Sequence, residues 1–409
     1  MIMRTGETGA GMWRDRSFRL FLGADAISQF GTQVTIVALS LVAVLALDAS
    51  PFEVGLVTAA ETAAFLVLGL PAGVWVDRLR RRPILIWSDL LRAAALASVP
   101  LAVALDALTL PQLYLVALLM GLGTVFFDVA HMSFLPSLVG RDDLLRGNGV
   151  LETMRSTAVL SGPALGGWLV HAVTAPIALL ADAVSYLVSA LLLGGVRAEE
   201  APAPAAERRS LREEIAEGVR YVVDHPMLRR LAMVGAVTML SNGVWFVAQP
   251  FFLLRTLGVS PGLYGLLLTG APVGGLIGAA LAPRLAARYG TGRAMCGGAV
   301  LASAAPCSSR WPPGLAAGAV PARMSAARRG RVGVQRQPAQ LPPADHPGAP
   351  ARPDERQHAV PDVGRGPGRG LLGGTLGTWF DAHAILWVAV CGFFLAHLPV
   401  LTCRAILRL

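Results

Sequence analysis

Apolar residues gather in runs of about twenty or more, long enough for a helix to cross a hydrocarbon core, and polar residues gather between them. Six runs fill the first half of the chain: Phe18 to Leu47, Phe52 to Val76, Ile84 to Leu105, Leu110 to Leu135, Leu151 to Val173 and Ile177 to Val196. Two more follow a polar interval, Leu231 to Leu254 and Gly262 to Ala282, and a ninth begins near Ala294. The pattern then fails near Pro306, returns at Leu371, and supports a last span from Ala382 to Cys403. Lipid offers no partners for backbone N–H and C=O groups, and no ten-residue alternating strands are visible, so the spans are predicted as helices. The fold class is all-α and polytopic.

The polar intervals are unequal. Arg78, Arg80, Arg81 and Arg82 follow the second run and Arg141 and Arg146 the fourth, whereas the connections after the first, third and fifth contain no arginine. The positive-inside rule then places both termini of this half in the cytoplasm, together with the turn Arg284, Arg288, Arg293. Residues 1–196 are expected to form a six-helix membrane half and 197–230 a cytoplasmic linker, Ala/Pro-rich at Ala201 to Ala206 and then charged. Residues 231–305 begin a second half, and 371–409 hold its last helix region. The first apolar run is too long for a signal peptide and lacks a small-residue cleavage site after it, so it is expected to remain as the first membrane helix.

Composition narrows the function. Hydrophobic residues make up 54% and charged residues 15%. The net charge of +9 rests on arginine alone, for there is no lysine. Those arginines alternate with spans instead of forming one soluble basic face, which argues against nucleic acid as a partner. Cys296, Cys307, Cys391 and Cys403 lack metal spacing and suggest no disulfide framework. No cofactor, metal or enzymatic chemistry is expected. The absence of a Walker-type glycine loop favours an ion gradient over ATP as the energy source.

Two motifs carry a resemblance. Gly73-Val-Trp-Val-Asp77-Arg78-Leu-Arg80-Arg81-Arg82 lies in the turn after the second run, and Gly149, Ala158 and Gly162-Pro163-Ala-Leu-Gly166-Gly167 lie in the fifth. The first resembles the GxxxDRxGRR signature of the major facilitator superfamily, with Arg80 in place of the second glycine. The second is similar to that family's glycine-rich antiporter motif, with Ala158 replacing one glycine. The resemblance covers Met12 to about Ala305 and resumes at Leu371. With Phe126-Phe127-Asp128 and Leu135-Pro136-Ser137-Leu138 it looks most like bacterial drug and siderophore exporters. It implies twelve helices in two six-helix halves and exchange of a small amphipathic substrate for protons by a monomer in the inner membrane. Gly73, Asp77, Arg78, Arg81 and Arg82 would form a conformational latch. Small residues and a proline in the fifth helix would give close packing and a place to rock.

Charges inside spans are costly in lipid and usually face a cavity or a partner. In the first half these are Asp25, Glu61, Asp89, Arg92, Asp128, Glu152, Arg155 and Asp182. Asp89 and Arg92, and Glu152 and Arg155, stand three apart and can neutralise each other, the first pair near the cytoplasmic end. Asp25 and Asp128 have no arginine nearby in sequence and are the candidates for proton coupling. His131, one turn from Asp128, can share its proton. On the seventh run Trp245, Phe246 and Gln249 are candidates to line a substrate cavity, against the plainer role of packing.

Residues 306–370 fit none of this. They hold ten arginines, four acids and twelve of the chain's 28 prolines, with no membrane-length apolar run. A GC-rich gene read out of frame yields this composition. Codons for Asp354 to Gly364 can be chosen so that a reading one base later gives MNASMRFLMWG, similar to the family's eleventh helix. Gly333 to Ala339 likewise permits AYNVNQ, similar to the tenth. A frameshift would leave about two helices of the second half disrupted and the chain, as it stands, an inactive remnant; the alternative is a real cytoplasmic insert.

Overall fold

The computed structural model describes residues 10–140, 143–198, 220–221, 223–289 and 368–401, and for some of these, including Asp77 and Arg78, the backbone alone. No strand occurs among the described residues. A short α1 (Ala10–Arg14) precedes α2 (Arg16–Leu41), which ends in a π-helical turn, Val42–Ala46. There follow α3 (Pro51–Arg78), α4 (Arg81–Ala104), α5 (Leu110–Phe134), α6 (Leu144–Val173) and α7 (Ala175–Gly194). The second half contributes α8 (Pro226–Pro250), a π-helical turn at Phe251–Thr256, α9 (Pro261–Tyr289), α10 (Gly368–Trp379) and α11 (Ala382–Leu401). All six expected helices of the first half are present. Among the described residues seven helices are long and apolar enough to cross a membrane; α6, with its glycines and charges, is not among them despite its 30 residues.

Local sequence sets the helix starts. Asp15 caps α2, its Oδ1 accepting from Ser17 N at 2.7 Å. Ser50 and Glu53 form a reciprocal capping box ahead of α3, with Pro51 at the first position. Arg82, an arginine of the first motif, caps the opposite kind of end. Its side chain donates to the carbonyls of Leu193 (2.9 Å) and Gly194, in the last turn where α7 stops.

The two halves repeat each other in detail. Leu47-Asp48-Ala49-Ser50-Pro51 and Leu257-Gly258-Val259-Ser260-Pro261 each follow a π turn. Asp48 and Gly258 take the left-handed conformation at φ 49° and 64°. Ala49 N donates to Ala43 O and Val259 N to Leu253 O, both at 2.9 Å. Further along, Gly166 packs on Val34 and Val37 of α2, and Gly373 on Val244 and Val247 of α8.

Packing of one half on the other concentrates at one end of the bundle. Here α6 meets α9 and α3 meets α10. One apolar core joins Val37–Val44, Ala49, Val54 and Val57 to Phe251, Leu253, Tyr264, Leu267 and Leu268. The opposite end, which carries the arginine turns and is called the basic end below, has its own core of Phe18, Phe21, Leu85, Phe134, Leu135 and Leu193, all from the first half. Among the described residues the apolar packing between the halves lies at the far end, and the core at the basic end is built from the first half alone. The expected domain boundary at 197–230 and the segment 306–370, apart from residues 197–198, 220–221, 223–230 and 368–370, lie outside the described residues, as do the ninth run from Ala294, Cys296, Cys307 and Cys403.

Candidate functional site

A buried polar file runs through the first half. Asp25 on α2 is 2% exposed, and His131 Nε2 on α5 stands 3.0 Å from its Oδ1. The contact is close but not aligned as a hydrogen bond. Aromatic rings hold the imidazole: it stacks between Phe21 (4.9 Å between centroids) and Phe127 (5.7 Å). The imidazole thus turns its Nε2 toward Asp25 of α2.

Deeper in the half, Arg92 donates to Asp89 on the same helix α4, both almost fully buried. The guanidinium lies between two rings, 4.4 Å from the centroid of Phe127 and 4.2 Å from that of Tyr186. Asp128, half-buried, is among the charges that act on it. Asp25 and Asp128, which have no arginine nearby in sequence, each meet a basic group brought in by another helix. Asp25 faces His131, and Asp128 lies near Arg92 on the neighbouring helix. Local pairing of Asp89 with Arg92 is as expected, but the pair sits inside the half as its central charge rather than at its rim. Glu152 and Arg155 do stay at the surface, 3.6 Å apart and more than half exposed.

Beyond Arg92 the file continues toward the far end. Tyr186 Oη lies 2.9 Å from Thr32 Oγ1, and Asp182 accepts from Thr35 and from Ser185 (2.7 Å). Sequence alone offered Asp182 only as one of several charges in spans. The missed signal was Gly31, since a Cβ there would overlap the Asp182 carboxylate and Ser185.

The antiporter-like glycines divide. Gly162 seats Gln33, Gly166 seats Val34 and Val37, and Gly167 lies against Gly265 of α9, where a Cβ would come within 2.6 Å of that Cα. The carbonyl of Pro163 also faces Gly265. These residues form the far-end seam. Gly149 and Gly73 have no described atom within 4 Å of a Cβ position. Side chains of Asp77 and Arg78 lie outside the described residues. Arg81 opens α4 and Arg82 caps α7. Of the cavity candidates, Trp245 packs against the core shared with α11, Phe246 is 42% exposed and Gln249 is buried.

Residues 21–320 match the sequence model of the Major Facilitator Superfamily. The chain belongs to the major facilitator superfamily. It is 32% identical over 287 residues to the multidrug efflux pump Tap of Mycolicibacterium fortuitum, covering 67% of this chain and 68% of that pump. It is 27% identical over 212 residues to the putative bacilysin exporter BacE of Bacillus amyloliquefaciens, covering 51% and 52%. The chain spans about half the length of BacE and of the Tap pump of Mycobacterium tuberculosis. Among solved structures, the nucleoside transporter NupG superposes with a TM-score of 0.66 at 12% identity, covering 96% of this chain and 99% of that one. An inward-facing bacterial homologue of the iron transporter ferroportin also gives 0.66, at 15% identity, covering 93% and 97%. At these identities the structures speak for the fold alone. This major facilitator protein is thus a multi-pass membrane transporter with drug-exporter relatives.

Proposed function

We propose that the chain is built as a proton-coupled exporter of small amphipathic molecules, alternating between a state open at the basic end and one open at the far end. The observation that carries the reading is the Asp25–His131 contact, a carboxyl and an imidazole on different helices inside the membrane. A proton placed between them neutralises the pair or leaves His131 charged beside Asp25, so helix packing and protonation depend on each other. The exporter relatives support the direction. With the basic end cytoplasmic, as its arginine turns favour, the state described is open to the cytoplasm. The protein would act as a monomer in a bacterial inner membrane. The test is substrate uptake into inverted vesicles on imposing a proton gradient, with a panel of lipophilic dyes. Uptake that ignores the gradient contradicts the proposal.

A second reading, a family remnant without transport, is favoured by one feature, the Pro- and Arg-rich sequence 306–370. On insertion scales each arginine at mid-bilayer costs about 2.5 to 3.5 kcal/mol, so that sequence is a poor replacement for two spans.

A further inference from the structure

We propose that Asp182 is a second proton-binding carboxyl, loaded from the far end of the bundle, while Asp25 and His131 exchange protons with the basic end. The idea rests on the proton-coupled reading above and adds a site to it. Asp182 is 1% exposed, and its two oxygens accept from Thr35 of α2 and Ser185 of α7. Both partners are hydroxyls, which can donate to a carboxylate or accept from a carboxylic acid, so this seat fits either form.

No cation is committed to it. The charged groups facing it from α4 are Arg92 and Asp89, and Arg92 is already bonded to Asp89 and covered by Phe127 and Tyr186. From α2 it meets Thr35 and Gly31, and α7 itself presents Ser185 and Tyr186. Helix α6, also in contact with α7, has Arg146, Glu152 and Arg155 toward its basic-end start, and its His171 lies against Gly262.

Depth separates the two sites. Asp182 lies about two turns from the far-end start of α7, whereas Asp25 lies about two and a half turns from the basic-end start of α2. Thr35 and Asp25 are thereby about 15 Å apart along α2. Directly beside Thr35, Val34 and Val37 lie under Gly166, next to the Gly167–Gly265 contact that closes the far end. Opening that seam uncovers the α2 turn that covers Asp182, and water then reaches the carboxyl from the far end. In the closed arrangement the same carboxyl is dry. One half of the protein thus offers two protonation sites, each hydrated in a different state of the cycle.

Infrared difference spectroscopy of the purified full chain in lipid, stepped in pH, tests this without requiring transport. A carbonyl stretch from a protonated carboxyl should be lost in Asp182→Asn and retained in Asp25→Asn. Thr35→Val, which removes one hydroxyl and keeps the acid, should shift its frequency. After transfer to heavy water the Asp182 proton should exchange slowly, and Gly265→Leu, which wedges the seam, should speed that exchange by about tenfold. Spectra unchanged by both Asp182→Asn and Thr35→Val would overturn the proposal. So would exchange at Asp182 that Gly265→Leu leaves unaltered. A band present in Asp182→Asn but lost in Asp25→Asn would leave the proton-coupled reading standing and remove this one.

Discussion

Arg255 reaches across the far-end seam to Asp48, pairing with its carboxylate and donating to the carbonyl of Val44 at 3.1 Å. Arg255 lies within the second half's π turn and Asp48 two residues after the first half's, so the bridge ties the end of α8 to the end of α2. Its acidic partner is 92% exposed, which limits the pair to roughly 0.2–1 kcal/mol. Arg255→Ala is therefore expected to shift the population toward the far-end-open state by at most about fivefold. Distances between spin labels placed on the Asp48 and Ser260 loops would record the shift. An unchanged distance distribution would mean that the apolar seam alone holds this end closed.

Arg92 and Asp89 should behave differently, because both are buried. Arg92→Met leaves a buried carboxyl without its partner and should lower stability by about 3–5 kcal/mol, whereas the double change Arg92→Met with Asp89→Leu should recover most of it. Thermal unfolding in detergent, followed by tryptophan fluorescence, distinguishes these. Equal losses in the single and double variants would mean that the guanidinium matters for its packing between Phe127 and Tyr186 and not for its charge.

The fold was legible because it rests on repeating, local signals. Runs of apolar residues marked the helices, and the i, i+3 spacing of Asp89 and Arg92 showed their bond. Contacts made between helices were not legible. Nothing near Asp25 in the sequence points to His131, and nothing near Asp128 points to Arg92, since helix rotation and tilt decide both. Gly73 and Gly149 matched motif positions without packing on any described residue, while Gly31 matched no motif and seats Asp182. The paired turns at Leu47–Pro51 and Leu257–Pro261, which locate the seam, emerge as a repeat only once both are seen to follow π turns. Which end is closed is a property of one conformation, and no residue pattern encodes it alone.

Asp77→Asn is expected to impair transport without preventing membrane insertion, because the residue ends a helix at the arginine turn and does not sit within a span. Comparing substrate flux with the amount of folded protein in the membrane checks this. Wild-type turnover per folded molecule would count against a latch.

For residues 306–370, the coding DNA should contain a reading one base displaced that restores two apolar helices. A chain with the frame restored should transport, and the chain as it stands should not. Sequencing the gene together with flux measurements on both chains decides the matter; equal flux would make the segment a real insert.

The central claim is that proton binding at Asp25 and His131 drives export. Its most direct test is dye uptake into inverted vesicles carrying the frame-restored chain, with the proton gradient and the membrane potential set independently. The account predicts uptake that follows the proton gradient, and predicts that Asp25→Asn and His131→Ala abolish gradient-driven accumulation while downhill dye exchange persists. Gradient-driven accumulation that survives both substitutions would contradict it.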